Sequence, residues 1–147
     1  MKRKIALTAD HAGFNKKEKI KKYLIESGYE VRDFGCFSDE SCDYPDFAHP
    51  AARAIESGEM DIGFSVCGSG NGMIITLNKY QGIRSALCWN EEISRLARAH
   101  NDANVCSLPA RFINDAEAML IIKTFLKTEF DGGRHKRRID KIPLKRI

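Results

Sequence analysis

No apolar run in the 147-residue chain approaches the length of a bilayer-spanning helix, which excludes that class. The five cysteines are an odd count with no paired framework, so a disulfide-stapled scaffold is excluded and reduced thiols are expected. Cys36, Cys42 and His49 come nearest to a metal-ligand group, but their spacing matches no usual zinc pattern, and no metal or other cofactor is expected. There is no internal repeat and no low-complexity segment. The basic start Met1-Lys2-Arg3-Lys4 leads into a short strand-like run and then Asp10-His11, without the apolar stretch and cleavage site of a secretory signal, so the chain reads as cytoplasmic.

What is present is an ordinary globular composition, at a length that suits one domain with a substantial core. Charge is unevenly placed. Seven of the 24 basic residues and one of the 20 acidic ones fall in 134–147, leaving 17 basic against 19 acidic over 1–133. A nucleic-acid-binding face would spread its positive charge over the domain, so nucleic acid is not expected as a partner. A localised tail instead reads as a short arm that contacts a phosphate group or a partner subunit.

The periodicity alternates strand and helix. Residues 5–9 read as a strand, 14–27 as an amphipathic helix stopped by Gly28, 30–34 as a strand, and 35–45 as a polar loop. A helix follows from about 47 to 57, then the apolar run 61–66, a helix within 73–79, a strand at 83–88 and a helix at 90–100. A fifth strand at 104–108 and a last helix at 115–128, capped by Asn114, complete the pattern before Gly132-Gly133 breaks it. This order implies a single-domain three-layer α/β/α sandwich with a five-stranded parallel, Rossmann-like sheet and a site at the carboxyl ends of the strands. Residues 1–133 form the domain and 134–147 its basic C-terminal arm.

The chain is organised around Asp61 to Gly72. A buried strand runs into Cys67-Gly68-Ser69-Gly70-Asn71-Gly72, whose glycines permit positive φ and bring backbone N–H groups close to a ligand. The loop is neither a complete dinucleotide fingerprint nor a Walker-type phosphate loop. At the start of a helix it would attract negative charge, and a thiol there is expected to have a lowered pKa. The alternative is a small core cysteine followed by a tight turn. Asp10-His11 after the first strand, Tyr44 in the polar loop and His100-Asn101-Asp102 at the end of the fourth helix supply further polar groups. A helix C-terminus favours a histidine as imidazolium. A thiolate base, a histidine acid and a ring of N–H donors suit proton transfer next to a carbonyl. Arg134 and Arg138, four apart, share a face on a helical turn and can grip one phosphate.

Asp10-His11-Ala12-Gly13, Asp43-Tyr44-Pro45, Cys67 to Gly72, Asn78-Lys79, Gly82-Ile83-Arg84, His100 to Asn104 and Gly132-Gly133-Arg134-His135 occur in one order and spacing. Together they resemble the type B ribose-5-phosphate isomerases, within the wider family that includes the allose- and galactose-6-phosphate isomerases. The resemblance covers essentially the whole chain. It implies a metal-independent aldose–ketose isomerase, working as a homodimer or dimer of dimers with active sites between subunits. It makes Cys67 the base that moves a proton between C1 and C2 through a cis-enediolate. His100 then assists opening of the furanose ring, with Asp10 nearby, and Ser69 keeps a hydroxyl where threonine is common. By the same resemblance Gly68, Gly70, Asn71 and Gly72 supply the loop around the enediolate oxygens, and Tyr44 and Asn101 line the sugar. His11, Arg111, Arg134 and Arg138 bind the phosphate. Asn71 stands where a small apolar residue is frequent, which leaves the preferred sugar open. Ribose 5-phosphate is the expected substrate, a 6-phosphate hexose the alternative, and a non-catalytic phosphosugar-binding module the rival from another class.

Overall fold

The structure, a computed structural model, describes residues 2–145. Its elements follow the predicted alternation: β1 Lys4–Ala9, α1 Phe14–Glu26, β2 Glu30–Asp33, α2 Tyr44–Glu56, β3 Ile62–Cys67 and α3 Asn71–Leu77. Then come β4 Ser85–Leu87, α4 Glu91–Asn101, β5 Val105–Pro109, α5 Asp115–Lys127 and α6 Arg134–Ile139. The five strands pair in parallel in the order β2-β1-β3-β5-β4. No helix among the described residues is long and apolar enough to cross a membrane.

Two of the boundaries that differ from the sequence reading have a plain local reason. Helix α2 begins at Tyr44, earlier than expected, because Pro45 lies in the first turn, where no intrahelical N–H is required. Helix α3 starts at Asn71 rather than 73, directly on Gly70, whose φ of 84° makes the sharp entry from the loop. Asn114 caps α5 as expected, whereas Asn90, read as the first residue of its helix, is the cap of α4. Asn90 accepts the Ile93 N–H, and Asn114 forms a capping box with Glu117.

The layers are set by the apolar faces. Ile20 and Leu24 of α1, Ala97 of α4 and Ile121, Ile122 and Phe125 of α5 pack on one face of the sheet, where Phe64 meets Phe125 edge-on at 5.6 Å. The alanine-rich face of α2 and Met73 and Leu77 of α3 cover the other. Small residues on α2 let that helix lie close to the strands. One buried charge interrupts this core. Lys17, with no exposed surface, donates to Asp33 at 2.6 Å, and Lys21 donates to the same oxygen at 3.0 Å. Burial works against the Asp33 charge, but Lys17, the Gly35 N–H and Lys21 outweigh it and hold the carboxyl below its ordinary range.

This topology creates the crevice. The chain leaves β3 toward α3 on one face, whereas it leaves both neighbours, β1 and β5, toward α1 and α5 on the other. The loops after β1, β3 and β5 therefore diverge and leave an opening at their carboxyl ends.

Candidate active site

The opening is lined by the polar ends of the three central strands. The close packing of the β1–α1 corner depends on Gly13, where a Cβ would lie 2.1 Å from Val66 O. Asp10 is almost buried, and its Oδ1 accepts the Gly13 N–H at 2.9 Å. His11 Nδ1 accepts the backbone N–H of Cys42 at 3.3 Å, so the proton of its neutral ring lies on Nε2, on the side away from Cys42. Tyr44 lies against the glycine loop, its ring packed where Gly72 has no side chain.

Cys67 ends β3, 4% exposed, with its carbonyl held by the Ala110 N–H at 2.8 Å. Burial pushes the thiol above its ordinary value, and the charge of Asp10 adds to this. The N–H groups of Met73, Gly70 and Gly72 pull the other way by pointing at the sulfur. The expectation of a lowered pKa is therefore corrected: the loop supplies the predicted donors, but desolvation outweighs them. Gly68 accepts from the Arg111 N–H at 3.0 Å, and the Arg111 guanidinium lies over it, 3.1 Å from where a Cβ would stand. Ser69 and Asn71 are exposed, with Ser69 Oγ accepting the Asn71 N–H at 3.3 Å. The structure thus brings together Asp10, His11, Tyr44, Cys67, Gly68, Ser69, Gly70, Asn71, Gly72 and Arg111.

It does not bring His100, Asn101, Arg134 and Arg138 to them. Helix α4 starts at the carboxyl end of β4 and runs antiparallel to the sheet, so its 11 residues carry His100 and Asn101 about 16 Å toward the opposite end. The Gly63 N–H donates to Asn104 O at 2.8 Å, which sets the segment after α4 level with the start of β3. Cys67 lies four residues further along that strand, roughly 13 Å away. A second cluster forms at this far end. The Asp131 N–H donates to Ala99 O at 2.9 Å and holds the segment just before the arm on α4. His100 Nε2 lies 4.0 Å from Asp131 Oδ2, and the His100 and His135 rings stack 4.3 Å apart at 10°. Arg134 and Arg138 sit exposed beside them on α6. Partial desolvation, then His100, Arg134 and Arg138, push the His135 imidazole below its ordinary value, against the pull of Asp131. Such a positive cluster suits an anion. His100, Asp131 and His135 offer ligand atoms within 4.8 Å of one another, but near-parallel rings set their in-plane lone pairs side by side rather than converging on one ion.

The sequence profile of the Ribose/Galactose Isomerase family matches residues 5–142. This chain belongs to that family. Among its relatives is the ribose-5-phosphate isomerase B of Escherichia coli, 40% identical over 140 residues that cover 95% of this chain and 94% of the relative. The crystal structure of a ribose 5-phosphate isomerase from Thermotoga maritima superposes with a TM-score of 0.94 at 52% identity, covering 96% of this chain and 97% of that one. The enzyme of Mycoplasma genitalium, solved with bound ribulose-5-phosphate, superposes at 0.91 with 40% identity, covering 95% and 93%. The parallel α/β architecture of this isomerase family is the one seen here.

Two neighbours of the site residues escaped the sequence reading. Cys42 holds His11, and Asp131 faces His100. Neither carries a sequence signal, since each partnership spans about 30 residues and exists only once the loops are packed. His49, considered beside Cys36 and Cys42, is instead paired with the Tyr80 hydroxyl at 2.7 Å.

Proposed function

We propose that the protein interconverts D-ribose 5-phosphate and D-ribulose 5-phosphate, a step of pentose phosphate metabolism, in a cytoplasmic homodimer or dimer of dimers. The observation that carries this is the position of Cys67, buried at the carboxyl end of β3 and running directly into the Gly68 to Gly72 loop on which α3 starts, in a chain so similar throughout to ribose-5-phosphate isomerases. Cys67 as thiolate takes the C2 proton of the open-chain aldose and returns it to C1. The negative charge that develops on O1 and O2 faces the loop from Gly68 to Gly72, whose N–H groups stabilise it without reorganising. Ser69, at the exposed edge of the loop, passes the hydroxyl proton between O2 and O1, while Asn71 and Tyr44 line the sugar.

The two clusters complete one another across a subunit interface. His100 of a second copy opens the furanose ring beside Asp10, and Asn101 of that copy holds sugar oxygens. Arg134 and Arg138 of the same copy bind the phosphate together with His11 and Arg111. Residues 134–147 then act as an arm of the one domain, reaching the neighbour's site. The separation of the two clusters by more than a hydrogen bond's reach supports this division.

The test is turnover of ribose 5-phosphate with EDTA present, for the native protein and Cys67→Ala. Native turnover that falls by 10²-fold or more in the variant is the expected result. Native turnover of allose or galactose 6-phosphate but not of ribose 5-phosphate would replace the substrate, and an active Cys67→Ala would remove the base.

A further inference from the structure

Two stretches of the chain, Gly82-Ile83-Arg84 and Asp102-Ala103-Asn104, meet at the end of α4 and take no part in the chemistry at Cys67. The chain leaves α4 through Asp102 at φ 44° and ψ 43°, the left-handed conformation that glycine fills most easily. The Asp102 N–H donates to Arg98 O at 3.1 Å, and the Ala103 N–H donates to Ala97 O at 2.9 Å, so the backbone closes the helix without any side chain. The two oxygens of the Asp102 carboxylate instead bridge two arginines. Oδ1 accepts from Arg98 Nη1 at 2.8 Å, and Oδ2 accepts from Arg84 Nη2 at 3.4 Å. Each guanidinium also reaches carbonyls of the same turn. Arg84 Nε donates to Asn101 O at 3.2 Å and to Asp102 O at 3.0 Å, and Arg98 Nη1 donates to Ala103 O at 2.7 Å. Both arginines are anchored outside the turn. Arg98, its side chain 11% exposed, donates from Nε to Thr128 O at 3.4 Å and lies 5.6 Å from the Phe125 ring centroid. The Arg84 N–H donates to Asn104 Oδ1 at 2.8 Å, while Asn104 Nδ2 donates to Gly82 O at 2.8 Å.

We propose that Arg84, Arg98 and Asp102 are positioning residues, a clamp that fixes the last turn of α4 and through it aims His100 and Asn101 at the substrate. The proposal rests on the sugar-phosphate reading, in which His100 opens the ring and Asn101 holds sugar oxygens. The final carbonyls of a helix have no partner within it, and its last turn frays unless other donors take them. His100 and Asn101 occupy that turn, with Asn101 exposed. Arg84 takes the Asn101 carbonyl, and the carboxylate of Asp102 orients both guanidiniums by charge-assisted hydrogen bonds. The turn is thereby tied to the start of β4 through Arg84 and to the end of α5 through Arg98. An aspartate stands at a position made for glycine because its carboxylate links the two ties. Without it the turn can drift, and a displacement of about 1 Å in a reacting group is enough to slow catalysis severely.

The experiment measures kcat and KM for ribose 5-phosphate, with the thermal unfolding midpoint, in the native protein, Asp102→Gly, Asp102→Asn, Arg84→Met and Arg84→Met/Asp102→Gly. Glycine keeps the left-handed cap and removes only the carboxylate, whose ion pairs are partly exposed, so the midpoint should stay within about 4 °C of native. In the same variant kcat should fall about tenfold or more. KM should change by no more than about threefold, because the residues that bind phosphate sit on other elements. Asp102→Asn, which tolerates the left-handed turn and keeps an acceptor for Arg98, should lie between Asp102→Gly and native. Since the clamp acts as one unit, the double variant should be no slower than the slower single one. Asp102→Gly with native kcat would leave Asp102 as a helix cap alone and overturn the proposal. Losses that multiply in the double variant, to about a hundredfold, would overturn it as well. A native protein that does not turn over ribose 5-phosphate would instead remove the sugar-phosphate reading, and the catalytic role of the clamp with it.

Discussion

If the two clusters serve one another across subunits, two inactive variants should repair each other. Cys67→Ala removes the base and costs about 10²–10⁴-fold. Arg134→Ala/Arg138→Ala removes two charge-assisted phosphate contacts, each worth about 1.5–3 kcal/mol, and costs a similar factor. The distances make the outcome quantitative. Cys67 is roughly 13 Å along β3 from the level of Asn104, and His100 lies in the last turn of α4 at that same far end. No side chain closes that gap to the 3 Å needed for catalysis. In a mixed dimer one site combines both lesions and the other combines neither. Equal amounts of the two variants, unfolded and refolded together, give half mixed dimers, each with one intact site, so activity should recover to about a quarter of native. Native mass spectrometry measures the mixed fraction, and coupled turnover of ribose 5-phosphate measures the sites. Recovery that stays at the level of the separate variants, with mixed dimers present, would refute the shared site and require both clusters to act within one chain.

Three further outcomes follow from the same geometry. Because burial holds the Cys67 thiol above its ordinary value, the thiolate fraction grows throughout the neutral range; kcat/KM should rise by up to about tenfold per pH unit from pH 6 and show no plateau below the usual thiol value of about 8.5. A plateau by pH 7 would mean that bound substrate or another group lowers that pKa. Gly70→Ala places a side chain at φ 84° with its Cβ 2.5 Å from Leu87 Cδ1, so chemical denaturation should show a loss of about 2 kcal/mol and kcat should fall as the loop donors shift. A stable, fully active variant would contradict the assigned loop geometry. For Asp33 the folded pKa lies below the unfolded value of about 3.9, so its contribution is present above pH 4 and lost as pH falls through the folded value. Lys17→Met should cost about 2–3 kcal/mol at pH 7, below the usual loss for a broken buried pair because Lys21 remains, and should flatten the acid limb of unfolding midpoint against pH.

The local devices of this fold are written in short stretches of residues. The apolar run Ile62 to Cys67, the glycines after it, the Asn90 and Asn114 caps and the switch from period two to period 3.6 each act within a few neighbours. They set the alternation of strands and helices, and with right-handed crossovers the layered parallel sheet. The ordered set of motifs likewise carried the family. The tertiary structure was needed wherever a property depends on which distant segments meet. The order β2-β1-β3-β5-β4 places the β3 loop between two loops that leave on the opposite face, and no strand states its neighbours. The Cys67 pKa is set by how completely the surrounding chain excludes water, so the loop's visible N–H donors pointed the wrong way. Most of all, His100 to Asn104 precede a strand and Asp10 and Cys67 follow one, which puts them at opposite ends of a parallel sheet. Polar residues adjacent in sequence order are thus held apart by the length of a helix, and only folding reveals that they form two separate clusters.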